Sequence, residues 1–216
     1  MRCTLLFITL LLIGAAPLIS QNYSVSFQSG SVPANAFALP TSESDSLFTD
    51  FLYEGNYYII IQFDEVPDDG DLQVLESSGV SLFAYIPNYA YLAKVPDSLN
   101  FGALQARALA PYDGSFKLTT RLATGNFPAY AYNNGQLDVV VSSWPSVTLA
   151  SLKASLEGMG YAPADTLNNE LSLTIPEDSL LALSAHPAIQ YVNLPEPLPV
   201  HEGFVGRTSH RLNMLS

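Results

Sequence analysis

Two stretches of this chain repeat one another at an offset of about 80 residues. Ile59-Ile60-Ile61 aligns with Val139-Val140-Val141, and Leu75-Glu76-Ser77-Ser78-Gly79-Val80 aligns with Leu156-Glu157-Gly158-Met159-Gly160-Tyr161. Val95-Pro96-Asp97-Ser98-Leu99 aligns with Ile175-Pro176-Glu177-Asp178-Ser179-Leu180 after one inserted residue. A period this long is that of a whole small domain rather than a solenoid unit, so the chain reads as a tandem duplication.

Each half carries the same order of elements. In the first, the β-branched and aromatic run 57–63 is a buried strand. Asp68-Asp69-Gly70-Asp71 starts a short helix through Leu72 and Leu75, which Gly79 ends by taking the left-handed position. Strands 81–86 and 89–95 flank Pro87-Asn88, a hairpin signal. Asp97 or Ser98 then caps a helix over 99–108, and 115–119 is the fourth strand. In the second half, 137–141 is a strand, and Ser146 caps a helix bearing Leu149, Leu152 and Leu156 that ends at Gly158 or Gly160. Strands near 161–165 and 171–175 flank the turn Asn168-Asn169, Asp178 caps a helix over 179–185, and 188–193 is the last strand.

The β-α-β-β-α-β order predicts an α+β fold made of two tandem ferredoxin-like antiparallel sandwiches. Two helices then cover one face of each sheet and leave the other open. In the second half, period-two alternation sends Val139, Val141, Leu171, Leu173 and Ile175 towards the helices. Asp138, Val140, Ser142, Ser172 and Thr174 fall on the open face, which is too polar for a core but flat enough to lie against a partner. The expected divisions are a signal peptide at 1–20, a flexible leader at 21–52 and a first repeat at 53–122. A linker at 123–131, a second repeat at 132–194 and an extended tail at 195–216 follow.

Arg2, an apolar run over 5–13 broken only by Thr9, and then Gly14, Ala15 and Ala16 form a secretory signal that is removed on export. The mature chain is therefore expected outside the cytoplasm, secreted or periplasmic. Cys3, the only cysteine, lies in that signal, so the mature chain has no disulfide and no thiolate chemistry. No later segment has the length and apolarity to span a bilayer. The formal net charge is −12, and half of the 20 acidic residues lie between Glu43 and Glu76, a surface that repels nucleic acid and anionic membranes.

No constellation for chemistry is present in the sequence. There is no Gly-x-Ser-x-Gly elbow, no phosphate-binding Gly-x-x-x-x-Gly-Lys, no His-Glu-x-x-His and no cysteine pair, so no catalytic residue, metal or cofactor is expected. His186, before Pro187, reads as a cation at the negative end of a helix. His201, Glu202 and His210 lack a supporting shell for a metal. The acidic stretch 64–71 reads as a solvated helix start rather than a calcium loop. Tyr57, Tyr58, Tyr85, Tyr89 and Tyr91 read as strand formers, with a stacking platform for sugar or peptide as the alternative.

The second half closes with Leu183-Ser184-Ala185-His186-Pro187-Ala188-Ile189-Gln190-Tyr191-Val192-Asn193. This resembles the closing signature of the subtilase propeptide and inhibitor family, in which a helix runs through a proline into a hydrophobic-x-Tyr-Val strand. Glu202-Gly203, Gly206-Arg207-Thr208 and His210-Arg211 resemble the junction before the catalytic domain in secreted subtilases of Bacteroidetes type. The resemblance covers the second repeat and the tail directly, and the first repeat only through the duplication, which departs from the simplest family pattern.

The resemblance implies a pro-region of a secreted subtilisin-like serine endopeptidase that serves as folding template and autoinhibitor. The catalytic domain, with its Asp, His and Ser, is then expected in cis beyond Ser216. The open face would dock on it, and Leu194, Pro195, Glu196, Pro197, Leu198, Pro199, Val200 and His201 would lie along its cleft. Pro195, Pro197 and Pro199 suit that role because each fixes φ and extends the residue before it. A free-standing secreted inhibitor and a non-enzymatic adhesin or binding module are the rival expectations.

Overall fold

The computed structural model describes residues 23–41, 44–166 and 170–197. The expected signal at 1–20, the turn at Asn168-Asn169 and the tail from Leu198 onward lie outside them. The protein is a mixed α/β structure of antiparallel sheets with few helices.

The described chain starts with a hairpin of β1 (Val25–Phe27) and β2 (Gly30–Val32). The first repeat contains β3 (Leu52–Tyr53), β4 (Asn56–Gln62), α1 (Asp69–Ser77), β5 (Ser81–Ile86), β6 (Ala90–Pro96) and β7 (Ala108–Pro111). A short helix, α2 (Thr120–Ala123), leads to the second repeat. That repeat contains β8 (Tyr132–Asn133), β9 (Gln136–Ser143), α3 (Leu149–Gly158), β10 (Ala164–Asp165), β11 (Leu171–Pro176), α4 (Leu180–Ser184) and β12 (Ile189–Asn193).

The two five-stranded sheets have one plan. In the first, β6 lies between β4 and β5, and β3 and β7 pair with the other side of β4. In the second, β11 lies between β9 and β10, and β8 and β12 pair with the other side of β9. The duplication extends to individual hydrogen bonds. The Asp97 N–H donates to the Gly55 carbonyl at 3.0 Å, and the Glu177 N–H donates to the Gly135 carbonyl at 3.0 Å. Gly55 and Gly135 sit at positive φ in equivalent tight hairpins, each after a residue that is itself left-handed (Glu54 and Asn134).

Local chemistry fixes the helix ends. The Asp68 carboxylate accepts from the N–H groups of Gly70 and Asp71, and the Asp71 carboxylate accepts from the Asp68 N–H, so α1 opens with a reciprocal cap. Gly79 follows it at φ 81°, as the left-handed stop requires. At α3 the cap is Thr148, which accepts from the Ser151 N–H at 3.1 Å, rather than the expected Ser146. Ser146 instead meets the Tyr58 hydroxyl at 3.0 Å.

Three other expectations are corrected. The helix expected over 99–108 is a single 3-10 turn, Phe101–Ala103, capped by Asn100, and residues 108–111 are drawn into β7 by pairing with β4. The strand expected at 115–119 is a second 3-10 turn, Gly114–Lys117, because the Asp113 carboxylate takes the Ser115 N–H. The leader expected at 21–52 is, from Tyr23 on, built into the fold. Val25 and Phe48 are fully buried, and Ala38 exchanges both backbone hydrogen bonds with Leu109 of β7. The buried Gln62 amide donates to the carbonyls of Tyr23 and Asn88 and accepts from Arg107, whose guanidinium lies 3.5 Å from the centre of the Tyr23 ring.

Burial sorts the faces. Ile59, Ile61, Ala93, Val95 and Leu109 pack under α1 and the Phe101–Ala103 turn. The opposite face of the first sheet, with Tyr58, Ile60, Leu92 and Ala110, is not open, because it joins the core of the second repeat through Trp144 and Val147. Tyr58 stacks on Trp144 at 5.0 Å between ring centres, and Phe83 and Tyr112 close around the same indole. The inner face of the second sheet is the one expected: Val139, Val141, Leu171, Leu173 and Ile175 are all buried. Leu173→Ala should therefore cost about 2–5 kcal/mol in equilibrium denaturation. Thr174→Ala on the exposed side should cost less than about 1 kcal/mol. Equal losses would mean that the register is reversed.

Candidate docking face and arm

The structure brings the five expected docking residues together on the outer face of the second sheet. β9 supplies Asp138, Val140 and Ser142, and β11 supplies Ser172 and Thr174, with Ser172 directly opposite Val140 and Thr174 opposite Asp138. None of the five is buried. Their short polar groups are hydrogen-bonded to one another or to neighbouring strand ends. The Thr174 hydroxyl donates to the Asp138 carboxylate at 2.6 Å, and the Ser142 hydroxyl donates to the Glu170 carboxylate at 2.8 Å. Val140 is the apolar centre of this patch.

The arm leaves from the edge of the same sheet. The last ladder pair of β12 is Asn193 with Val140, and the Leu194 N–H then closes on the Asn193 side chain at 2.8 Å. Leu194 is buried, whereas Glu196 and Pro197 are exposed. Pro195 lines a shallow groove together with Asp138, Ser172 and Thr174, so the arm starts against this outer face of the sheet. On its other side, Asn193 to Pro197 share a second groove with Gln28, Thr120, Arg121 and Tyr130, residues that sequence reasoning missed. Leu198, Pro199, Val200 and His201 lie outside the described residues.

His186 departs from its expected role. Burial, and then the positive charge of Lys117, push its imidazole down to about 4, so it is neutral at pH 7. The nitrogen at the end of α4 is instead the Lys117 amine, whose Nζ donates to the His186 carbonyl at 2.8 Å. His186 also makes the contact that most resembles a nucleophile–base pair, with Nε2 at 2.8 Å from Ser155 Oγ. Its Nδ1, however, accepts the Ala188 N–H, which leaves the ring proton on Nε2 facing the serine. A general base must offer Ser155 a lone pair there, so this contact positions α3 against the end of α4 and does not activate a nucleophile.

The tyrosines do not form one platform. Tyr57 packs inward against Phe101, Tyr58 packs the other way on Trp144, and Tyr85 pairs edge-on with Tyr91. Among the described residues, no group of three or more His, Cys, Asp or Glu side chains is placed to hold a metal ion, and no helix is long and apolar enough to cross a membrane.

A family model described as a domain of unknown function (DUF8729) matches residues 24–115. The match takes in the β1–β2 hairpin and the whole first sheet, and stops before the second repeat. No curated protein and no solved structure matches the chain.

Proposed function

We propose that this chain is the pro-region of a secreted subtilisin-like serine endopeptidase, acting as folding template and autoinhibitor of the catalytic domain. The observation that carries this reading is the continuity of the exposed polar outer face of the second sheet with a proline-rich arm that leaves its edge. A template must offer a preformed surface, and an inhibitor must offer an extended backbone that a protease cleft can pair with as a strand. Pro195 and Pro197 remove backbone freedom before binding, so less entropy is lost when the arm is held.

The strand plan supports reading each repeat as ferredoxin-like, the fold that the resemblance implies. The first strand of each unit pairs with the third and fourth, and the third pairs with the second. Because the outer face of the first sheet is covered by the second repeat, we assign docking to the second repeat. Export is part of the proposal and rests on the apolar segment at 5–13.

The coding sequence after Ser216 should specify a domain with Asp, His and Ser in that order, whereas a stop codon there favours a free-standing inhibitor. The direct assay is inhibition of a purified subtilisin-like catalytic domain by the whole chain. Val140→Lys combined with Thr174→Lys should weaken inhibition at least about tenfold, roughly 1.4 kcal/mol. Deleting 195–201 should abolish cleft competition while leaving the fold intact by circular dichroism. Unchanged inhibition by both variants would sink the proposal.

A further inference from the structure

Among the described residues, the buried polar side chains are Gln62, Lys117 and Ser184, and Lys117 alone is a charged type. Gln62 is accounted for by its amide network. Lys117 is not so well supplied. Its Nζ has three protons to donate, and the contact found for it is the His186 carbonyl, with the Tyr112 ring 5.7 Å away. No described carboxylate forms an ion pair with it.

The position of Lys117 gives this shortage a consequence. Lys117 closes the Gly114–Lys117 turn, which belongs to the end of the first repeat, and reaches the carbonyl just past α4 in the second. Gly114, at the other end of that turn, lies so close to Ser184 and Ala185 that a Cβ there would meet backbone at 2.8 Å. Trp144, at the centre of the packing between repeats, donates through Nε1 to the Pro187 carbonyl at 2.8 Å, one residue beyond the acceptor of Lys117. The lysine therefore sits where the two repeats are clamped together.

We infer that Lys117 makes the junction between the two repeats responsive to pH, closing it when the amine is neutral and loosening it when the amine is charged. Burial pushes the amine down from 10.5 to about 7, and the exposed Asp113 carboxylate opposes this only in part. Of the other groups at the junction, the Glu54 carboxylate crosses it to the Ser151 hydroxyl of α3 and forms no ion pair with Lys117. Tyr112, at the end of β7, is held neutral because burial raises its hydroxyl. His186 is neutral down to about 4, and its ring meets Tyr53 edge-on and the Ser155 hydroxyl through a hydrogen bond.

The sign follows from proton uptake. Between about 7 and 10.5 the unfolded chain holds a proton on Lys117 that the folded chain lacks, so stability rises with pH across that window. Below about 7 both states hold it, and the fold carries the buried charge in full. His186 adds a loss in the same direction as pH falls from 6.5 towards 4. This device does not depend on the proposed protease partner.

The test uses the whole chain labelled with ¹³C at lysine Cε. Outside the signal only Lys94, Lys117 and Lys153 contribute, so three signals are followed. One should titrate near 7 and be absent from Lys117→Met, and the fluorescence of Trp144, the only tryptophan, should change over the same range. The melting temperature should rise by at least about 3 °C from pH 6 to pH 9 in the native chain and stay flatter in Lys117→Met. If Lys117→Met does not fold, the double variant Lys94→Arg, Lys153→Arg leaves Lys117 as the single signal. Titration of all three lysines in the ordinary range overturns the inference. So does a titration near 7 with neither a Trp144 response nor a pH-dependent melt.

Discussion

Trp144→Ala should be among the most damaging single substitutions in the chain, costing about 3–5 kcal/mol. Its indole is fully buried and is ringed by Tyr58 at 5.0 Å, Phe83 at 5.5 Å and Tyr112 at 5.6 Å. Tyr58 and Phe83 belong to the first sheet, whereas Trp144 follows β9 of the second, so the substitution opens a cavity between the repeats rather than within one. The aromatic contacts add to the apolar area lost, and the Pro187 carbonyl loses its donor. Urea denaturation followed by far-ultraviolet circular dichroism should show one transition for the native chain. The variant should show two, as the repeats lose their coupling. Trp144→Phe, which keeps a ring but leaves that carbonyl without a donor, should fall between. A Trp144→Ala protein within about 0.5 kcal/mol of the native chain would mean that the repeats do not share this core.

Gly114→Ala should be nearly as harmful for a different reason. The added Cβ would lie 2.7 Å from Ser184 Oγ, 2.8 Å from the Ala185 nitrogen and 2.9 Å from the Ser184 carbonyl carbon. Two of those three atoms are backbone at the end of α4, which cannot rotate away, so the turn has to lift off the second repeat. Overpacking of this kind costs about 1–3 kcal/mol or more. Gly135→Ala is the control, with nothing within 4 Å of the added Cβ but φ at +77°. Its cost is confined to backbone strain of about 1–2 kcal/mol, and it should leave the coupling between repeats intact. Melts of the two variants at equal pH should separate them. If Gly114→Ala melts no lower than Gly135→Ala, the Gly114–Lys117 turn does not seat on α4 as described.

Legibility in the sequence tracked how much of each element was decided locally. β11 alternates strictly and β9 does so apart from Val140, so period two alone places Asp138, Val140, Ser142, Ser172 and Thr174 on one face. α1 announced itself through Asp68 and Gly79, both of which cap in the structure. β4 gave a different kind of signal. Its run from Tyr57 to Gln62 is buried on both faces, and a continuous apolar run does not reveal what covers the second one. The cover is Trp144, a residue some 80 positions away. β7 was hidden because Ala108, Ala110 and Pro111 are weak strand formers, and only pairing with β4 holds them extended. The β1–β2 hairpin has three-residue strands, too short for periodicity, and its place depends on Gln62 and Arg107 far along the chain. The charge of His186 is hidden from the sequence for the same reason, because it depends on burial and on Lys117, which comes from the other repeat.

The pro-region proposal is tested most directly by refolding. The subtilisin-like catalytic domain expected after Ser216 would be denatured and diluted into buffer with and without this chain supplied in trans, and its peptidase activity followed over time. Active enzyme should form only when the chain is present. It should first be held inhibited, and be released as the chain is degraded. Equal recovery of uninhibited activity with and without the chain would contradict the proposal.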